Sequence, residues 1–200
     1  EMLVFTISKF SFLLMLLFTV PLCLNMDYVL QLWLTEVPPY AVKFTILILI
    51  FSLTDSLSGP LWTSVQANGK IKWFTIVYSV IIICNVPVTY ILFRLGYGPE
   101  WTLYARIVIN VVGIVWEVIY VRQLVGISIY NYLKLVLFPV VKVSLITFTI
   151  AFFASKVRGG FVGLVLTFTI STIALFVSTF LCGMTAKERM AFKHYLYHHK

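Results

Sequence analysis

Asp55 stands in the run Ser52-Leu53-Thr54-Asp55-Ser56-Leu57-Ser58-Gly59-Pro60, where hydroxyls surround a carboxyl. On a helix, Ser52, Ser56, Gly59, Thr63 and Gln66 follow steps of three or four and share one face, with Asp55 at its edge. A second stripe, Arg106, Asn110, Gly113 and Glu117, runs at steps of four, three and four. Arg106 and Glu117 are too far apart on that helix to pair directly. Lys142 lies eight residues beyond Lys134, about 12 Å deeper along a helix. Such carboxyls can bind a proton or cation, and such bases can bind an anion. Asp55 either lines a polar cavity or is a buried acid bonded to neighbouring hydroxyls. Arg106 either faces that interior or snorkels to the interface where Trp101 and Tyr104 lie. Glu117 is expected to face the interior. Lys142 pairs with Glu117, contacts an anionic ligand, or snorkels. Lys9 is shallow, and snorkelling is its expected state.

These residues are informative because of what surrounds them. Hydrophobic residues make up 61% of the 200-residue chain and charged residues 11%, against about 25% charged in soluble domains. That balance excludes a soluble globule, a disordered chain and a nucleic-acid-binding domain. Six segments reach the roughly 20 apolar residues that a spanning helix needs: 3–24, 43–65, 73–95, 102–122, 134–154 and 160–183. Turn chemistry separates them, as in Ala67-Asn68-Gly69-Lys70 and Gly96-Tyr97-Gly98-Pro99. Trp33, Tyr40, Trp73, Tyr97, Trp101, Tyr104, Tyr130 and Tyr132 fall at span ends, where amphipathic rings settle. The expected fold is all-α and polytopic, with six transmembrane helices in residues 1–184 and a basic cytoplasmic tail in 185–200. An ionisable group at the centre of such a span costs at least about 2.5–3.5 kcal/mol on insertion scales, so each one calls for a reason.

Loop charges set the orientation. With residue 1 inside, Lys70, Lys72, Arg122, Lys134, Lys187, Arg189, Lys193 and Lys200 are cytoplasmic, while Lys43, Arg94, Lys156 and Arg158 are outside. Both ends are therefore expected in the cytoplasm. The formal charge of +8 is explained by topology and tail, without nucleic acid. The tail reads as a short basic amphipathic helix lying on anionic lipid. His194 and His198 are spaced i,i+4, but no acid or cysteine stands near them in sequence, so no metal site is expected. Cys23, Cys84 and Cys182 read as small packing residues rather than ligands or a disulfide framework. No phosphate loop, nucleophile elbow or zinc signature occurs, so no cofactor and no enzymatic activity are expected. Thr147-Phe148-Thr149-Ile150 is echoed by Thr167-Phe168-Thr169-Ile170. The opening Glu1-Met2 and the poor cleavage site at Pro21-Leu22-Cys23-Leu24 point to a fragment beginning in a span rather than to a secretory leader.

Three stretches together carry a resemblance. They are Leu30-Gln31-Leu32-Trp33-Leu34 with Val37-Pro38-Pro39-Tyr40; Ser58-Gly59-Pro60-Leu61 with Gln66-Ala67-Asn68-Gly69-Lys70-Ile71-Lys72; and Lys187-Glu188-Arg189. The chain resembles the polysaccharide-biosynthesis flippases of the multidrug/oligosaccharidyl-lipid/polysaccharide exporter superfamily, although Thr35 stands where glycine is common. The resemblance implies the C-terminal part of a 14-helix flippase in the bacterial inner membrane. It also implies a lipid-linked oligosaccharide substrate on an undecaprenyl-diphosphate carrier, membrane lipids around it, and a missing N-terminal helical lobe as partner. It assigns no role to Asp55, Arg106, Asn110, Glu117 or Lys142; their place in a transport cavity is inferred from burial cost. The alternatives are a multidrug or cation-coupled exporter of the same superfamily, and an inactive truncated fragment.

Overall fold

A computed structural model describes residues 2–157, 159–184 and 188–190. Every regular element among them is helical: α1 (Met2–Leu24), α2 (Met26–Gln31), α3 (Ala41–Asp55), α4 (Ser58–Ala67), α5 (Ile71–Ile83), α6 (Asn85–Arg94), α7 (Trp101–Val125), α8 (Ile129–Tyr132), α9 (Phe138–Ser155) and α10 (Gly160–Ser178). Two π-helical turns, Leu133–Leu137 and Thr179–Gly183, precede α9 and follow α10. With few polar side chains available, the backbone can satisfy its own N–H and C=O groups in hydrocarbon only by coiling in this way.

Among the described residues, five helices are long and apolar enough to cross a membrane: Met2–Leu24, Ile71–Arg94, Trp101–Val125, Ile129–Ser155 and Gly160–Gly183. The pair α3–α4, bent by 40°, makes a sixth if it is counted as one span. The large apolar side chains point outward. Val86 is 70% exposed, Phe153 66% and Leu14 64%, the inverse of a water-soluble core. The interior holds hydroxyl residues beside its apolar ones, among them Ser8, Thr19, Ser58, Thr147, Thr167, Ser171 and Ser178. In lipid, helices gain by close approach rather than by hiding carbon from water, and small residues permit that approach. These features define a membrane-embedded helical protein.

Proline sets the breaks. Pro60 has no N–H to offer the carbonyl of Ser56 and its ring crowds that turn. The helix accordingly stops at Asp55, passes Ser56 and Leu57, and restarts at Ser58. Pro87 acts on Ile83 in the same way, and α5 gives way to α6 at Cys84. Pro139 follows the Leu133–Leu137 π-helical turn, which takes up the missing donor. Pro21 lies near the end of α1 without dividing it.

α1 is the central post. It packs on α3 and α4 along one flank and on α9 and α10 along another, while α7 gathers α3, α4, α5 and α6. Phe5, Leu13, Leu16 and Val20 of α1 share a core with Leu61 and Val65 of α4, Val121 of α7, and Val136, Val140 and Val143 of the Ile129–Ser155 helix. The closest helix pair is α9 with α10. The repeated Thr-Phe-Thr-Ile segments lie here: Thr147 and Thr167 are buried between neighbouring helices, whereas Thr149 and Thr169 are exposed and bond back to carbonyls of their own helices. Thr147 Oγ1 meets Ser178 Oγ at 3.4 Å across the pair. The tail expected over 185–200, with His194 and His198, lies outside the described residues except for 188–190.

Candidate functional site

The α3–α4 elbow places Asp55 last on α3, at the mouth of a groove of about 610 Å³. Leu3, Val4, Ile7 and Ser11 of α1 form one wall; Asp55, Ser56, Gly59, Thr63 and Ser64 form the other. Four positions of the stripe read from the sequence, Asp55, Ser56, Gly59 and Thr63, therefore line one concavity. The hydroxyls on this face are not all spare donors: Ser56 bonds to Leu53 O, Thr63 to Gly59 O and Ser64 to Pro60 O. Such back-bonding reduces the cost of a hydroxyl in apolar surroundings while its lone pairs remain able to accept.

The other side of Asp55 meets α7. Asp55 lies within electrostatic reach of Arg106 and close to Asn110, and Asn110 Nδ2 donates to the neighbouring Thr54 Oγ1 at 3.3 Å. Arg106 is exposed, and its guanidinium carbon stands 4.5 Å from the centroid of the Phe51 ring. Arg106 also lines a small cavity of about 130 Å³ with Asn110, Asn85 and Tyr78. The side chain thus lines a cavity shared with Asn110 while remaining exposed.

Three turns beyond Arg106 on α7, Glu117 is fully buried. Trp62 Nε1 of α4 donates to Glu117 Oε1 at 2.7 Å. Ser58, one turn before Trp62, stands beside the same carboxyl, yet Ser58 Oγ and Glu117 Oε2 complete no hydrogen bond of good geometry. A stack of rings fixes this region. Trp62 meets Phe74 edge-on at 4.9 Å and Tyr78 at 5.3 Å, and Phe74 leans on Tyr120 at 5.3 Å. Tyr120 Oη in turn donates to Lys70 O at 2.9 Å. Gly113 lets this cluster close, because a Cβ there would stand 3.1 Å from Tyr78 Cε2.

Asp55, Arg106, Asn110 and Glu117 are thus gathered along the α3/α4–α7 seam, and Lys142 is not among them. Lys142 is exposed on α9, with Nζ 4.3 Å from the centroid of the Phe138 ring one turn away. The pairing with Glu117, one of its expected options, is not formed: eight residues of depth do not fix the helix face, and α9 turns Lys142 outward. Lys9 also departs from expectation. It does not snorkel but is 1% exposed, with Nζ 2.7 and 2.5 Å from the two carboxyl oxygens of Glu188. Thr6 Oγ1 donates to Glu188 Oε1 at 3.4 Å. A clue was present in the sequence: Glu188 is the single acid of an otherwise basic tail.

Among the described residues, no three His, Cys, Asp or Glu side chains converge on a metal-sized centre. No protein-family model, curated protein or solved structure matches the chain.

Proposed function

We propose that the chain is part of a membrane transporter that moves lipid-linked oligosaccharide, of the undecaprenyl-diphosphate type, across the bacterial inner membrane. The single observation that carries this reading is the polar seam inside the helical bundle. Asp55 lines one groove, Arg106 and Asn110 line a second cavity, and Asn110 hydrogen-bonds Thr54, the residue next to Asp55. Polar side chains of this kind in a span mark a pathway or a packed interior, and a groove of this volume is larger than hydroxyl packing requires. In this reading the six spans, counting α3–α4 as one, have both ends in the cytoplasm. A further helical lobe, as the resemblance implies, closes the open side of the groove. Arg106 attracts the phosphate groups, while Asp55 and Glu117 hold the compensating proton or cation. No covalent chemistry is required of the chain, and the lipid tail stays in the bilayer.

The test is turnover of lipid-linked oligosaccharide in cells expressing the full-length protein with Asp55→Asn, Arg106→Gln or Glu117→Gln at matched membrane abundance. Loss of turnover in these variants, with Lys142→Ala retaining it, is the expected result. Wild-type turnover in the first three variants would remove the seam from the mechanism.

A cation-coupled exporter of small amphipathic compounds is the second reading. It is favoured by one observation: the buried Glu117 carboxyl has a tryptophan partner and, among the described residues, no basic one. Changed drug susceptibility on deletion, with unchanged surface glycan, would select it.

A further inference from the structure

Away from the seam, the outer faces of α1 and α10 enclose a groove of about 510 Å³ lined almost wholly by carbon, from Leu13, Leu14 and Leu17 to Leu175 and Phe176. Phe10, Phe180 and Met184 also line it. Two of these residues carry cations on their rings. Lys9 Nζ is 5.6 Å from the Phe10 centroid, and the Arg189 guanidinium carbon is 5.7 Å from the Phe180 centroid. Arg189 Nη2 donates to Leu181 O, while Arg189 Nε is buried with no hydrogen-bond partner. Lys9 is more than nine-tenths buried and already holds an anion, the Glu188 carboxylate. Two rings of the apolar lining thus each have a cation beside them, one of the cations engaged by a carboxylate of the chain itself.

We infer that this groove is a binding site for an anionic membrane phospholipid, whose hydrocarbon chain lies between α1 and α10 and whose phosphate binds Arg189 and Lys9 in exchange for Glu188. Charge complementarity argues for a phosphate head rather than a zwitterionic or neutral one. A phosphate offers several acceptor oxygens to a guanidinium, and charge-assisted bonds of this kind are the strong ones. Glu188 keeps Lys9 neutralised when the site is empty, since a buried unpaired ammonium would be costly. The inference does not rest on the transport reading, because a lipid can occupy this flank whatever the seam carries.

The experiment uses the full chain extracted from bilayers of phosphatidylcholine with a minority of phosphatidylglycerol, with retained lipid counted by native mass spectrometry. Wild type is expected to retain phosphatidylglycerol over phosphatidylcholine. Arg189→Gln should reduce that preference about tenfold, the worth of one charge-assisted hydrogen bond. Glu188→Gln should increase it, and Leu14→Trp, which fills the groove without changing charge, should reduce it. Leu14 is exposed and Arg189 half-buried, so both changes carry less folding risk than replacing the buried Lys9. Equal retention of both lipids by wild type, or an unchanged preference in Arg189→Gln, overturns the site. So does displacement of the lipid by inorganic pyrophosphate together with indifference to Leu14→Trp, which would mark a phosphate site without a groove. None of these results bears on oligosaccharide turnover, so the two proposals fail separately.

Discussion

Trp62 and Glu117 are joined by an indole-to-carboxylate hydrogen bond of 2.7 Å in the interior of the bundle. The bond ties α4 to α7 across 55 residues of sequence and holds an acid where no base reaches it. Trp62→Phe keeps the ring packing but removes the donor, leaving a second orphaned oxygen on Glu117. It is expected to cost about 1–3 kcal/mol, seen as a lower unfolding temperature in detergent. Glu117→Gln can keep the indole bond through its amide oxygen, so it should unfold close to wild type even where it stops transport.

The Lys9–Glu188 pair predicts a strongly non-additive cycle. Removing either charge leaves the other poorly compensated, and Lys9→Met is expected to cost about 3–5 kcal/mol. The double change Lys9→Met with Glu188→Met should recover most of that loss, because neither charge is then taken from water. Thermal unfolding of the four proteins measures the coupling. Strictly additive losses would mean that the two groups do not interact in the membrane.

The Asp55 groove should be wet. With Cys23, Cys84 and Cys182 replaced, Ser56→Cys and Thr63→Cys are expected to react with a membrane-impermeant maleimide. Val86→Cys, exposed on the lipid-facing side of α6, should not. The pattern separates contact with water from contact with lipid, which geometric exposure alone does not. Equal protection of all three positions would show a groove closed to solvent.

Gly113 permits the approach of α5 to α7. Gly113→Ala requires Tyr78 to give by a few tenths of an ångström. Gly113→Leu adds volume that the ring stack cannot yield and should destabilise by about 1–3 kcal/mol. A Tyr78→Ala background should relieve part of the leucine's cost, a relief that unfolding measurements on the double variant can detect.

Much of the scaffold was legible because hydropathy at membrane scale is a strong signal. The long helices fall where apolar runs reach spanning length, and Pro60 marked the bend in the second segment. The stripe through Asp55 was legible because a period of 3.6 assigns residues to a face. What a single helix cannot say is which neighbour that face meets. Arg106, Asn110 and Glu117 lie with Asp55 because α3 and α4 both pack on α7. Lys142 has similar credentials along the chain but is turned away by α9. The Lys9–Glu188 pair joins opposite ends of the sequence, and no local pattern encodes such a partner. Nothing in the spacing of Trp62 singles it out; only the packing of α4 on α7 sets its indole nitrogen against a carboxylate.

The bend between α3 and α4 is braced on both sides by a single strut. Thr54 above it is tied to Asn110, and Trp62 below it is tied to Glu117, anchor points about 10 Å apart along α7. A joint triangulated in this way cannot flex freely. If the molecule rocks, α3, α4 and α7 must swing together as one rigid frame, and the give has to come from where that frame slides along α1.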